Sequence, residues 1–154
     1  MPKRDLLVRL LDSTFDQENW YAPIKDGMEG ITAEQAVWKP EGEATKSIWE
    51  NLNHLIYYKE RLVAKLEGRE WTKNLDGDQT FHLTDPTGID KEWQAVKERS
   101  VQVHHSLREA LYTISENELD QMERGLLDIL LHEAYHTGQI LQLRKMQGSW
   151  PANR

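Results

Sequence analysis

Apolar residues recur at intervals of three and four along four long stretches of the chain, and this helical period constrains the fold more than any other feature. The stretches predict helices over residues 3–19, from 48 to a glycine stop at Gly68, from Asp90 as N-cap to about 114, and from about 119 to 147. No segment alternates apolar and polar residues as a half-buried strand does. We therefore expect an all-α protein whose 154 residues form a single domain, a four-helix bundle with long connections.

The helix ends carry their own signals. Thr32 and Gln35 have the spacing of a capping box, which predicts one short helix inside the connection that precedes the second long helix. Ser115 and Glu118 have the same spacing ahead of the fourth long helix. The inward positions predicted for the third helix are Trp93, Val96, Ser100, Val103, Leu107, Ala110 and Ile114.

Charge and composition exclude several classes of function. The chain has 26 acidic and 19 basic residues, and the basic residues are scattered, so a nucleic-acid partner is not expected. No apolar run approaches the roughly 20 residues of a membrane span, and we expect a soluble, cytoplasmic protein without a membrane partner. The chain contains no cysteine. A metal ion must therefore be held by nitrogen and oxygen, and a nucleophilic thiol must come from another molecule.

Two histidines on the fourth helix are the first candidates for metal ligands. His132 and His136 are four residues apart, so their side chains lie one turn apart on the same face. Ile129 and Ile140 share that sector, which predicts that the pair faces inward. A buried polar group without a partner costs about 1–3 kcal/mol, and a shared metal ion would give both imidazoles a partner.

Residues 132–136 read HEAYH, the spacing of a zinc peptidase motif in which Glu133 would be the general base. We reject this interpretation because such peptidases take their third ligand from downstream, and no His, Asp or Glu follows His136. The predicted fold also lacks the sheet edge along which such enzymes align a peptide. A third ligand must lie upstream, and the nitrogen candidates are His54, His82, His104 and His105.

Position distinguishes these four candidates. His54 lies about 140° from the apolar stripe of its helix, which suits either the rim of a cleft or solvent. His104 shares the inward face of the third helix and is predicted to be a hydrogen-bonded core histidine, whereas His105 is predicted to face solvent. His82 lies in the long loop over residues 68–88, where it either faces solvent or approaches the site.

Three segments of the chain together resemble the DinB/YfiT-like superfamily of small metal-binding helical bundles. They are ITAEQAVWKP at 31–40, SIWENLNHL at 47–55 and HEAYHTGQI at 132–140. The similarity extends over nearly the whole chain. It implies a metal triad formed by His54, His132 and His136, a four-helix bundle with one long crossover, and a homodimer.

Four further side chains are candidates for orienting the histidines or a ligand, as the hydrogen-bonding neighbours of metal ligands often do. They are Asn51, Tyr58, Glu133 and Gln139. Glu133 would alternatively lie on a solvated helix face, and Tyr58 would alternatively serve in packing. Gly138 would permit close approach of a neighbouring helix, and Trp71 would either wall the cleft or pack. No catalytic residue is predicted from the sequence.

Three imidazoles leave open positions on one divalent metal ion, which is typical of catalytic rather than structural sites. Zinc or nickel is favoured, with iron or manganese as alternatives. Relatives implied by the resemblance include bacillithiol transferases and mycothiol-dependent maleylpyruvate isomerases. The leading hypothesis is a metal-dependent transferase or isomerase that brings a low-molecular-weight thiol to a small electrophile. The alternatives are a metal-dependent hydrolase that uses a metal-bound water, and a non-catalytic metal-binding stress-response module.

Overall fold

The computed structural model describes residues 1–153, and every regular element within that range is helical. Four long helices form a bundle, and two short helices and one 3-10 turn at Gln79–His82 lie in the connections between them. The helices are α1 (Lys3–Phe15), α2 (Ile24–Met28), α3 (Ala33–Val37), α4 (Ile48–Leu66), α5 (Asp90–Thr113) and α6 (Glu116–Met146). The predicted all-α bundle is confirmed.

Side-chain caps begin the helices where the sequence predicts them. The capping boxes at Thr32 and Ser115 are both formed, and a third one, at Ser47 with Glu50, begins α4. Gly68 and Gly148 follow α4 and α6 with φ of 67° and 76°, the left-handed conformation that glycine adopts without strain.

Two predicted helix boundaries are wrong. The first helix ends at Phe15 rather than at residue 19, because the Asn19 side chain donates to the Ser13 carbonyl and accepts from the Tyr21 amide, which turns the chain. Asp90 does not cap its own helix. Its carboxylate accepts from the Ala33 amide at 2.8 Å and so ties the start of α3 to the start of α5.

Helix α4 is the centre of the bundle. It packs against both α5 and α6, and 13 of its 19 residues are buried. The predicted inward stripe of α5 is buried along its full length, as expected. The outer face of α4 is covered by the connection that follows it, because the Asn53 amide donates to the carbonyls of Phe81 and Thr84 at 2.9 and 2.7 Å. This cover decides the surroundings of His54, the next residue on α4.

His104 lies in the core between α1 and α5, as the sequence predicts. Its ring stacks on Phe15 with the centroids 3.9 Å apart, and its Nε2 lies 3.4 Å from Asp12 Oδ1. The predicted hydrogen bonding is incomplete, since its buried Nδ1 has no partner within residues 1–153. Burial, and then the nearby Lys59 ammonium, lower the pKa of His104 to about 3.

His104 therefore makes the stability of the fold depend on pH. In the unfolded chain the pKa of a histidine is about 6.5. Between the two pKa values the unfolded chain binds a proton that the folded chain does not, so the free energy of unfolding falls as the pH falls through this window. Lowering the pH from about 7.5 to about 5 removes about 2 kcal/mol through this one side chain.

We predict that His104→Leu weakens this dependence. The difference between the unfolding free energies measured by urea at about pH 7.5 and about pH 5 should shrink by about 2 kcal/mol relative to the wild type. His105→Leu, on the exposed side of the same turn, is the control. An unchanged difference in His104→Leu would show that the folded protein protonates His104 above pH 5, against the expectation.

Candidate metal centre

The fold brings together three of the six histidines, one from α4 and two from α6. One ring nitrogen from each of His54, His132 and His136 lies within 4.8 Å of the others. His54 Nε2 lies 2.9 Å from His132 Nε2. His54 and His136 are buried, and His132 is partly exposed. The three side chains converge from two antiparallel helices, so neither helix could form this cluster alone.

A hydrogen bond from the covering loop orients His54. The Thr80 hydroxyl donates to the Gly77 carbonyl at 2.6 Å, so its oxygen accepts from His54 Nδ1–H at 2.5 Å. Phe81 stacks on the same imidazole with the ring centroids 4.1 Å apart. With its proton fixed on Nδ1, His54 presents the lone pair of Nε2 to the two histidines of α6.

His136 is oriented in the same way by α4 itself. Asn51 donates through its amide nitrogen to the Ser47 carbonyl at 2.9 Å, which leaves its amide oxygen to accept from His136 Nδ1–H at 2.8 Å. The lone pair of His136 Nε2 therefore also faces the cluster. Asn51 precedes His54 by three residues and so shares its face of α4.

Burial keeps these imidazoles in the neutral form that binds metal ions. The pKa of His54 is lowered to about 3 by burial and then by His136, His132 and Lys46. Burial and then His132 lower the pKa of His136 to about 4. The pKa of His132 is also lowered by burial, although the nearby Glu133 opposes the shift. Lower pKa values weaken the competition of protons with a metal ion for these nitrogens at neutral pH.

The donor set fits a divalent metal ion. Imidazole nitrogens bind zinc at about 2.0–2.1 Å, which places two tetrahedral ligands roughly 3.3 Å apart. The observed contact of 2.9 Å and the outer limit of 4.8 Å lie on either side of that value. His132 binds through Nε2 only when its proton is on Nδ1. Within residues 1–153, no hydrogen bond holds the proton there as Thr80 and Asn51 do for His54 and His136. Three nitrogen ligands also leave positions open for a further ligand.

A cleft of about 720 Å³ opens beside the cluster and reaches it at His136. Its walls come from the connection before α4, from the 3-10 turn and from the C-terminal half of α6. Its apolar lining includes Ala44, Phe81, Tyr135, Leu143 and Met146, and its polar lining includes Lys46, Asn51, Asp78, Gln139 and Gln142. Lys46 lies over the outer face of Phe81, with Nζ 4.9 Å from the ring centroid. The cleft is large enough for a small organic molecule.

The candidates for orienting the histidines have four different surroundings. Asn51 contacts His136 directly, and Gln139 lines the cleft. Tyr58 makes T-shaped ring contacts with His54 and His132, at centroid distances of 4.9 and 5.4 Å. Glu133 is not on a solvated helix face, because its side chain is only 2% exposed and pairs with the buried Lys59.

Other expectations from the sequence are also settled by position. His82 and His105 are exposed, as predicted, but His54 is buried rather than at a solvated rim. Gly138 is not needed for close approach of helices, since an added Cβ would meet nothing within 4 Å. Trp71 makes a T-shaped ring contact with Tyr57 and does not line the cleft beside the histidines.

The sequence does not indicate that Thr80, Phe81 and Lys59 lie around the histidine cluster. Thr80 and Phe81 lie in a loop whose sequence carries no periodic signal, and their positions depend on the hydrogen bonds that fold this loop over α4. Lys59 lies five residues after His54 on α4, where a lysine ordinarily predicts solvent.

Three comparisons with known proteins bear on the identity of the chain, and the length and apolar character of its helices bear on a membrane span. A model of the DinB superfamily matches residues 25–140, a range that includes all three clustered histidines. Neither the curated proteins nor the solved structures include a significant match. No helix in the described residues combines the length and apolar character that a bilayer crossing requires. With three quarters of its length matched and a buried histidine cluster as expected for a metal-binding bundle, the chain belongs to the DinB superfamily.

Proposed function

We propose that this protein is a divalent-metal-dependent enzyme that brings a low-molecular-weight thiol to a small electrophile, as a transferase or an isomerase. One observation carries the proposal: three neutral imidazoles converge beside an open cleft, and two of them are held with Nε2 facing the common point. Resemblance to thiol-using relatives supports the choice of reaction. The thiol must come from another molecule, since the chain has no cysteine.

His54, His132 and His136 would hold the ion, for which zinc or nickel is favoured and iron or manganese are alternatives. When bound, such an ion lowers the pKa of a thiol or water ligand and so supplies a nucleophile near neutral pH. Thr80 and Asn51 keep two of the imidazoles in the correct tautomer. The residues of the chain thus orient the ligands and hold their protons away from the centre.

The cleft walls would bind and orient the electrophile. Tyr135, Leu143 and Met146 offer apolar surface, whereas Lys46 and Gln142 offer polar contacts at the same cleft. A small molecule with both an apolar body and a polar group suits this lining. The open cleft favours catalysis over a non-catalytic metal-binding module, for which we expect side chains to plug the approach to the centre.

We predict that the purified protein binds about one divalent ion per chain. Replacing both histidines of α6, in His132→Ala/His136→Ala, should reduce the bound metal to background, because one imidazole cannot hold the ion. Inductively coupled plasma mass spectrometry after gel filtration measures the content. His82→Ala/His105→Ala removes two exposed histidines and should retain wild-type metal content. Equal metal in the two double variants would refute the site.

The reaction class is tested with the metal-loaded protein, monochlorobimane as electrophile and a panel of cellular thiols. We expect one thiol to be conjugated faster than in the uncatalysed control, and the rate enhancement to fall about hundredfold or more in His132→Ala/His136→Ala. No acceleration with any thiol would contradict the transferase. Metal-dependent hydrolysis of p-nitrophenyl acetate without thiol would then favour the hydrolase.

We also propose that the protein is a homodimer, which the resemblance implies. Exposed apolar side chains at four-residue spacing on α6, Leu127, Leu131 and Tyr135, support this, since they share one helix face. Leu6 and Leu10 of the neighbouring α1 add further exposed apolar surface. A row of exposed apolar side chains along one helix face is typical of an interface.

Leu131→Glu is predicted to give a monomer, because it places a charge in the middle of this stripe at a side chain that is 70% exposed. Light scattering after gel filtration measures the mass. Ile89→Glu, at a 53% exposed apolar residue on the N-cap of α5, is the matched control and should remain dimeric. A wild-type chain of monomer mass would contradict the dimer and leave the metal analysis unaffected.

A further inference from the structure

In one ion pair of the bundle both partners are buried, and this pair lies next to the histidine cluster. Lys59 Nζ of α4 lies 2.5 Å from Glu133 Oε2 of α6, and the two side chains are 3% and 2% exposed. In every other ion pair within residues 1–153 at least one partner is more exposed than a tenth. The other carboxylate oxygen of Glu133 lies 3.0 Å from the Thr14 hydroxyl of α1, which shares its one proton between this oxygen and the Leu11 carbonyl at 2.9 Å. Both oxygens of this carboxylate are therefore held.

Because the ion pair is buried, it adds little net stability to the fold. Removing two charges from water costs about as much as their attraction returns, and well-packed apolar residues in their place are often as stable or more stable. A buried charge that loses its partner, however, strongly destabilises the fold, because it is left uncompensated away from water. The pair therefore penalises any arrangement of α4 and α6 in which Lys59 and Glu133 fail to meet, whereas apolar contacts are non-directional and tolerate small shifts.

The ion pair lies close to the histidine cluster, so a change in its geometry would also displace the metal ligands. Glu133 lies between His132 and His136 on α6, and Lys59 follows His54 by five residues on α4. At about 1.5 Å per residue, Lys59 is roughly 7.5 Å along the helix from His54. On the opposite side of His54, the Asn51 to His136 hydrogen bond joins the same two helices. Two polar links thus flank the contacts that His54 of α4 makes with His132 and His136 of α6.

The surroundings fix the pair in one geometry. The Lys59 ammonium lies over the Phe15 ring, 5.1 Å from its centroid, and that ring belongs to α1, as does Thr14. Helix α1 thus holds the carboxylate through Thr14 and covers the ammonium through Phe15. A shift of α4 or α6 would therefore disturb the contacts that join α1, α4 and α6 at this pair.

We propose that Lys59, Glu133 and Thr14 form a register clamp: a positioning network, outside the metal's own ligands, that sets the spacing of His54 against His132 and His136. The proposal rests on the metal centre proposed above. The clamp adjusts metal affinity and coordination geometry by holding α4 and α6 in one register, and it makes no contact with the substrate.

The test uses Co²⁺ as probe and the variant Lys59→Met/Glu133→Met, which removes both charges and leaves no buried charge unpaired. The full chain should stay folded, as judged by circular dichroism and thermal unfolding, but should bind Co²⁺ about tenfold or more weakly, with altered visible absorption bands. The matched control is Glu60→Met/Arg99→Met. It removes the adjacent ion pair of α4, which joins α5 rather than α6, at 2.5 and 2.8 Å, and it should keep wild-type affinity and spectrum.

A second variant guards against loss of folding. Thr14→Val is nearly isosteric. It removes the hydrogen bond to Glu133 and the local one to the Leu11 carbonyl of the same helix, so it should weaken Co²⁺ binding several-fold in a folded chain. Wild-type affinity and spectrum in Lys59→Met/Glu133→Met would overturn the clamp, as would the same result in Thr14→Val if the double variant does not fold. A wild-type chain that binds no Co²⁺ would overturn the metal centre itself, and the clamp with it.

Discussion

The contact between His54 and His132, across the boundary of α4 and α6, is the constraint around which this bundle is organised. One ligand comes from α4 and two come from α6, so the cluster exists only while these helices keep one spacing and one register. The other features near the site serve that requirement. Helix α4 is buried on nearly all sides, the loop after it folds over its outer face, and polar links join it to α6 above and below the histidines.

The helical period and the capping boxes at Thr32 and Ser115 could be read from the sequence because they depend on residues within one or two turns. The pairing of His132 with His136 is local in the same sense. The surroundings of His54 are not. Its angle from the apolar stripe suggested a rim, but Thr80, 26 residues later, covers it. The burial of Glu133 is non-local in the same way, since its partner Lys59 is 74 residues away.

Burial has two consequences at the histidines. It lowers the pKa of His54 and His136, which keeps both imidazoles neutral and ready to bind a metal ion at physiological pH. The same shift makes the folded state less stable in acid, where the unfolded chain gains the protons that the folded chain refuses. Hydrogen bonds to Thr80 and Asn51 add what burial alone cannot supply, because they choose which nitrogen carries the proton.

The same combination of a cation, a phenylalanine ring and an imidazole occurs twice, and the comparison shows what makes a site. Phe81 lies between Lys46 and His54, and Phe15 lies between Lys59 and His104. Both imidazoles have their pKa lowered to about 3. His104 nevertheless gathers no ligand set, because its neighbour His105 is adjacent in sequence and its side chain points about 100° away around the helix. A low pKa provides a neutral nitrogen, but the site requires ligands at helical spacing on one helix and a third from another.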